Sequence, residues 1–198
     1  MSITYPDKRV ERTQHALKIA LMKLLAKKAL HKIHISEITE EAGVSRGTFY
    51  THYEKKEDLL DELSEDMLEE MTIAFRKPYE QLGMVDLRSL PSESIILFDH
   101  FLENKAFYQL MLGATSDNFF KEKMTDQLHY LFRADYAFYF RQIDAEIDLE
   151  LFCTYRIHGM IGMIVEWIQK GFDKPAPFMA EQLLHIFRFH TESVMIRH

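Results

Sequence analysis

The residues best suited to do chemistry lie in the stretch 36–56, SEITEEAGVSRGTFYTHYEKK. The chemistry they suit is contact with phosphates and base edges rather than the making of bonds. Ser36 is placed to cap a short helix whose apolar positions, Ile38 and Ala42, face inward. Gly43 ends that helix, because glycine takes the left-handed conformation there without steric cost. Val44 fills the corner, and Ser45 caps the next helix. On that second helix Phe49 and Tyr53 lie four residues apart and face a core. The opposite side carries Gly47, Thr48 and Thr51, with Tyr50 on the flank. These groups are small or hydroxylated, so a partner can approach closely and be hydrogen-bonded. The pattern is a helix-turn-helix whose second helix suits the major groove of double-stranded DNA.

Arg46, Thr48, Tyr50 and Thr51 make up the expected DNA-facing set, with Ser36 and Ser45 at the two helix starts. Arg46 suits a guanine edge or a phosphate, and the hydroxyls suit phosphates or base edges. Gly47 lets the helix N-terminus approach the backbone, where its partial positive charge favours phosphate. Lys55 and Lys56 fall at the start of a fourth helix, where the helix dipole disfavours a cation. Their presence there predicts an external anion, most simply a phosphate.

The string Gly43-Val44-Ser45-Arg46-Gly47-Thr48-Phe49-Tyr50-Thr51-His52-Tyr53, followed by Lys56 and Leu59-Leu60, resembles the TetR/AcrR (tetracycline-repressor) family. The helical run 10–30 is similar to that family's first helix. The resemblance is specific over about residues 8–66; beyond it is architectural, with a fainter echo near 159–171. It implies an all-α fold, with an N-terminal three-helix DNA-binding head at 8–66 and a helical regulatory and dimerisation body at 67–198. It also implies that His52 touches the sugar-phosphate backbone. One departure is Lys55, which stands where the family often has a small polar cap; a second cation would strengthen phosphate contact.

Composition is consistent with this reading. Apolar residues make up 47 % of 198, which excludes general disorder. No run of eighteen apolar residues occurs and the first residues lack a signal-peptide pattern, so the expectation is a cytoplasmic protein with no membrane partner. The single cysteine, Cys153, fits a reducing compartment. The net charge of −7 divides unevenly: residues 1–60 hold 11 Lys/Arg against 8 Asp/Glu, and the remainder 13 against 23. A basic head on an acidic body presents only the head to phosphate. No HExxH, paired CxxC, phosphate-cradling glycine loop or GxSxG elbow is present. The expectation is therefore no catalytic residue, no metal and no cofactor.

The remaining elements must position and pair the heads. A fourth helix over 56–77 carries Leu59, Leu63, Met67 and Met71 on one side and joins head to body. Further helices are expected after Ser92, over 107–112, from about 117 to 141, over 149–170 and over 178–194, with no strand-like alternation. The helix at 149–170 is apolar on two sides and needs two neighbours, its own core and a second copy. Phe152, Gly159, Met163 and Trp167, with Leu183 and Phe187 of the last helix, form the expected homodimer interface. The family pattern is similar. The family resemblance further implies a small-molecule effector in the body. The aromatic candidates for a pocket, suited to a lipophilic or aromatic ligand, are Phe98, Phe101, Tyr108, Met111, Tyr136, Tyr139 and Tyr155. The function expected is a homodimeric repressor released from a palindromic operator by that effector. The alternative is a co-regulator or activator of the same fold whose body binds a protein.

Overall fold

The computed structural model describes residues 8–86, 89–113, 119–140 and 147–196, with the backbone alone for 85, 136–140 and 189–196. Nine α-helices and three short strands occur among the described residues, and the chain divides into two compact units that join in sequence between Met67 and Leu68.

The first unit contains α1 (Lys8–Leu25), α2 (Ile35–Ala42), α3 (Arg46–His52) and the start of α4 (Lys56–Arg76). Leu17, Leu21 and Leu24 recur along one side of α1 and meet Ile33, Ile38, Phe49, Tyr53 and Leu59 in a single core. Each fully buried side chain of this kind contributes about 1.5–3 kcal/mol. Val10, on the same sequence stripe, sits in the first turn of α1 and is exposed. Lys18 bonds Glu62 at 2.7 Å and also Asp66, fixing α1 to α4.

Two local devices differ from the sequence reading. The helix α2 starts one residue before Ser36, with His34 at the cap position, because the Glu37 carboxylate accepts the His34 N–H at 2.9 Å. Ser36 is thus inside the first turn and does not cap. Lys56, the first residue of α4, is also engaged within the protein. Its ammonium donates to the carbonyls of Leu30 (2.9 Å) and Ile33 (2.8 Å), which flank the 3-10 turn Leu30–Lys32. Two segments, the α1–α2 connection and α4, are held together at that point.

The second unit holds the rest of α4, α5 (Leu97–Glu103), α6 (Lys105–Met111), α7 (Phe119–Ala134), α8 (Leu149–Gln169) and α9 (Ala176–His190). Asp148 caps α8 by accepting the Leu151 N–H at 2.9 Å, and Gly171 closes it at φ 78°. Three strands, β1 (Met84–Asp86), β2 (Tyr136–Phe140) and β3 (Thr191–Ile196), pair antiparallel in the order β1-β3-β2. The sheet is an addition to the expected helices and shortens two of them. The seventh helix ends at Ala134 rather than near 141, and the last ends at His190 rather than near 194. Both replaced segments are rich in aromatic or β-branched residues, and pairing over long sequence separation gives such runs a ladder that helical periodicity does not reveal. Arg76 at the end of α4 makes a two-point bond to Asp135, at 2.7 and 3.1 Å. No helix among the described residues is long and apolar enough to cross a membrane.

The Lys56 clasp gives a stability prediction. Lys56→Met removes two charge-assisted hydrogen bonds; the Leu30 carbonyl keeps the Ile33 N–H, and the Ile33 carbonyl loses its donor, at a cost of about 1–3 kcal/mol. Thermal unfolding of the purified variant should show a lower midpoint; an unchanged midpoint would mean the clasp contributes nothing.

Candidate nucleic-acid interface

The helix α3 has only seven residues, too few to persist alone in water, so its position is set by what it buries. Phe49 is fully buried and Tyr53 nearly so, with ring centroids 5.6 Å apart, and they turn the other side of α3 outward. Ser45 caps the helix, its Oγ accepting the Thr48 N–H at 3.0 Å. Gly43, at φ 68°, makes the turn between α2 and α3.

The outward side consists of Arg46, Gly47, Tyr50 and Thr51, all exposed, with Thr48 and His52 half-buried at its margins. Tyr50 is 58 % exposed although large and aromatic, with its ring set edge-on against Phe49 at 5.6 Å. The hydroxyls are more constrained than their types suggest. Thr51 Oγ1 donates to the Gly47 carbonyl at 3.0 Å, so what it offers a partner is its acceptor lone pairs and its methyl group. Ser45 Oγ and Thr48 Oγ1 are 2.8 Å apart and share one hydrogen, which leaves the other free to donate outward.

Charge is distributed selectively across this unit. Lys23 pairs with Glu41 at 2.8 Å and Lys28 with Glu37 at 2.6 Å, away from α3. Hydrogen bonds from these lysines hold both carboxyls below the usual carboxylate range. Arg46 has no bonded partner among the described residues. Lys55 is exposed; its backbone N–H donates to Asp58 at 3.0 Å, and its ammonium lies 3.8 Å from that carboxylate. Lys56 alone of the expected phosphate contacts is turned inward. The signal that could have shown this is its place beside the α1–α2 connection, but sequence spacing does not reveal which carbonyls lie there.

Two family models match the chain: "Bacterial regulatory proteins, tetR family" over residues 20–63 and "Transcriptional regulator C-terminal region" of the TetR type over residues 92–188. The chain belongs to the TetR/AcrR family. It is a DNA-binding transcription regulator of the helix-turn-helix type. The HTH-type regulator YxbF of Bacillus subtilis is 27 % identical over 96 % of this chain, and the chain spans 48 % of that curated relative's length. The dhaKLM operon transcriptional activator DhaS of Lactococcus lactis is 22 % identical over 80 % of this chain and 81 % of its own. Among solved structures, a TetR regulator from Streptococcus agalactiae shares the fold with a TM-score of 0.61 and 22 % identity, covering 91 % of this chain and 96 % of its own.

The body of this TetR-family chain departs from the expected pocket. Phe98, Phe101 and Tyr108 are fully buried and pack ring on ring: Phe101 to Tyr108 at 4.9 Å, Phe98 to Trp167 at 5.5 Å. Tyr108 Oη lies 2.8 Å from His100 Nε2, and Asn104 Nδ2 lies 3.3 Å from the other ring nitrogen. Burial pushes His100 down to about 4, so this polar cluster is neutral and satisfied internally. Met111 is half-buried and Tyr155 is on the surface; the side chains of Tyr136 and Tyr139 lie outside the described residues. A cavity of ≈ 40 Å³ lies elsewhere, against Phe75, Phe132, Leu183 and Phe187, with room for a few waters and far below the roughly 300 Å³ of a small-molecule pocket.

The dimer residues divide in the same way. Trp167, at 2 % exposure, and Leu183 and Phe187 are buried within the protomer and unavailable to a partner. Phe152 and Met163 are half-buried, and Gly159 is exposed. Besides Leu149 in its first turn, the apolar groups that α8 turns outward are Leu151 and Tyr155, followed on that side by Gly159 and Gly162. On α9 they are Phe178 and Ile186. Arg156 donates to the carbonyls of Ile186 and Phe187 at 3.1 Å, which sets α8 and α9 side by side there. Helical periodicity had located these stripes; which of the two faced inward depended on packing.

Gly47 provides a clean test of the α3 surface. A Cβ added there meets only Ser45 Oγ, at an ordinary 3.6 Å, so nothing inside the protein demands glycine. Gly47→Ala should leave the fold intact and stabilise it by about 0.5–1 kcal/mol in thermal unfolding. Its affinity for operator DNA should fall at least about tenfold, because the methyl group occupies the surface of closest approach. Unchanged affinity would place the contact elsewhere.

Proposed function

We propose that this regulator reads a palindromic operator as a homodimer, each protomer laying the outward side of α3 in a major groove. The observation that carries the reading is that side itself: exposed, glycine-bearing without an internal reason, and held by the buried Phe49 and Tyr53. Arg46 takes a guanine edge or phosphate, and Tyr50, Thr51 and the Ser45–Thr48 pair meet the backbone and base edges. His52 and Lys55 flank them toward the sugar-phosphate backbone. Lys56 acts chiefly by holding α4 in place, with its remaining ammonium hydrogen as its means of reaching a phosphate.

Pairing is assigned to the outward face of α8 and α9. Leu151 and Tyr155 are 70 % and 75 % exposed, and a Cβ on Gly159 or Gly162 would meet nothing within 4 Å. Such a face lets a second copy approach closely, and regulators of this family dimerise. A two-fold dimer then presents two heads to two half-sites.

Two readings of control remain distinct. In one, the protein is a repressor and a small lipophilic or aromatic effector enters the body and releases it from the operator. In the other, a protein partner binds the body. The closed ring-on-ring core around Phe101 and Tyr108 favours the second, since it leaves no ligand-sized space among those rings. DhaS, which is named an operon activator, is consistent with it. Either signal has α4 as its covalent route, because that helix supplies residues to both units.

The doubly substituted variant Leu151→Glu/Tyr155→Glu tests the dimer. Sedimentation should show a wild-type dimer and a variant monomer, and operator affinity should fall by about two orders of magnitude as the two-headed gain is lost. A variant that remains dimeric would remove α8 from the interface.

A further inference from the structure

The body is acidic, yet one groove on it is not. It runs between α7 and α8, has a volume of ≈ 510 Å³, and is lined by His129, Tyr130, Arg133, Ala134 and His158. None of these is a carboxylate, although the chain beyond residue 60 carries 23 Asp/Glu against 13 Lys/Arg. His129 Nε2 and His158 Nδ1 stand 3.1 Å apart, with the ring centroids at 4.2 Å. Arg133, one turn along α7 from His129, donates to Thr154 Oγ1 at 2.9 Å and has no carboxylate partner among the described residues. Asp135, next but one along the chain, is already held by Arg76. Three groups able to carry positive charge thus converge on an open space at the α7 edge of the α8 face assigned above to pairing, with Tyr130, more than half exposed, beside them.

We infer that this groove binds a small anion, a carboxylate or a phosphate carried on an apolar or aromatic body. Arg133 supplies a planar guanidinium with free donors; the imidazole pair, with one hydrogen held between the rings, supplies one outward N–H when neutral and two once it takes up a proton; and Tyr130 flanks the rest of the ligand. A cation suits the groove less well. The guanidinium repels it, and no third imidazole, thiolate or carboxylate joins the histidine pair among the described residues. The inference stands apart from the DNA-reading assignment, since it concerns binding to the free protein.

Proton linkage follows from the groups that face one another. Burial holds His129 below the ordinary imidazole value, with His158 and Arg133 adding to the effect and Asp126 opposing it. Cys153 and Thr154 of α8 are the other polar neighbours of Arg133. A bound anion favours the imidazolium form, so its complex takes up a proton. Affinity is then flat at high pH, rises as pH falls through the raised value in the complex, and levels off below the free-protein value.

The test uses the full chain and three probes with one aromatic ring: benzoate, phenyl phosphate and neutral benzamide. Binding is followed by calorimetry and by the histidine resonances in NMR. The expected result is saturable binding of at least one anion, with Kd near or below about 1 mM, and none of benzamide. Benzoate keeps its charge across the range, and it should bind at least about threefold more tightly at pH 6 than at pH 8. Which anion binds more tightly distinguishes a carboxylate from a phosphate ligand. Arg133→Met should abolish the binding; His129→Gln, a milder change, should weaken it and remove most of its pH dependence. Absence of saturable anion binding at pH 6, equal binding of benzamide, or full retention in a folded variant of either kind would overturn the inference.

Discussion

A seven-residue helix cannot hold itself, and the surface proposed here to read DNA is one side of such a helix. Burial of Phe49 and Tyr53 against Leu17, Leu21 and Ile38 supplies the stability that α3 lacks and fixes which side faces outward. The other local devices serve that placement. Gly43 sets the angle at which α3 leaves α2, Ser45 satisfies one of its orphan amides, that of Thr48, and Lys56 draws the start of α4 onto the carbonyls of Leu30 and Ile33. A recognition helix held this way can leave its outer side small and polar, because none of those residues is needed for packing.

That division of labour explains why the outer residues are only partly free. Thr51 spends its hydroxyl hydrogen on Gly47, and Ser45 and Thr48 share one between them. The surface therefore presents one hydroxyl donor, acceptors, methyl groups, Tyr50 and a single arginine. Such a set discriminates by fit and by a few directed bonds, while cations and backbone contacts supply affinity. One weak reader of this size gains from being doubled, which is the physical case for a two-fold dimer.

Much of the head was legible in the sequence because its signals are local. The left-handed Gly43, the Ser45 cap and the buried Phe49–Tyr53 pair each follow from residue type and spacing within a few positions. Lys56 was not legible in the same way. Its partners are 26 and 23 residues away, and a helix-start lysine read locally points only to an external anion. In the body, helical periodicity found α8 but could not say that Trp167 faces inward while Tyr155 faces out, since both belong to apolar stripes. The aromatic run of α5 and α6 gave the same ambiguity: the rings could line a cavity or fill one, and Phe101 against Tyr108 fills it. The β1-β3-β2 sheet depends on pairing between segments far apart in the chain, which no local window contains. The basic groove of His129, Arg133 and His158 needed α7 and α8 to be set side by side before it existed.

The central claim is that two copies of α3 read an inverted repeat. It is tested most directly by selecting bound fragments from random DNA with the purified full chain, at a low and a moderate salt concentration. The account predicts enrichment of two inverted half-sites, with affinity that falls as salt rises. Enrichment of a single unrepeated site, or of no sequence at either salt, would contradict it.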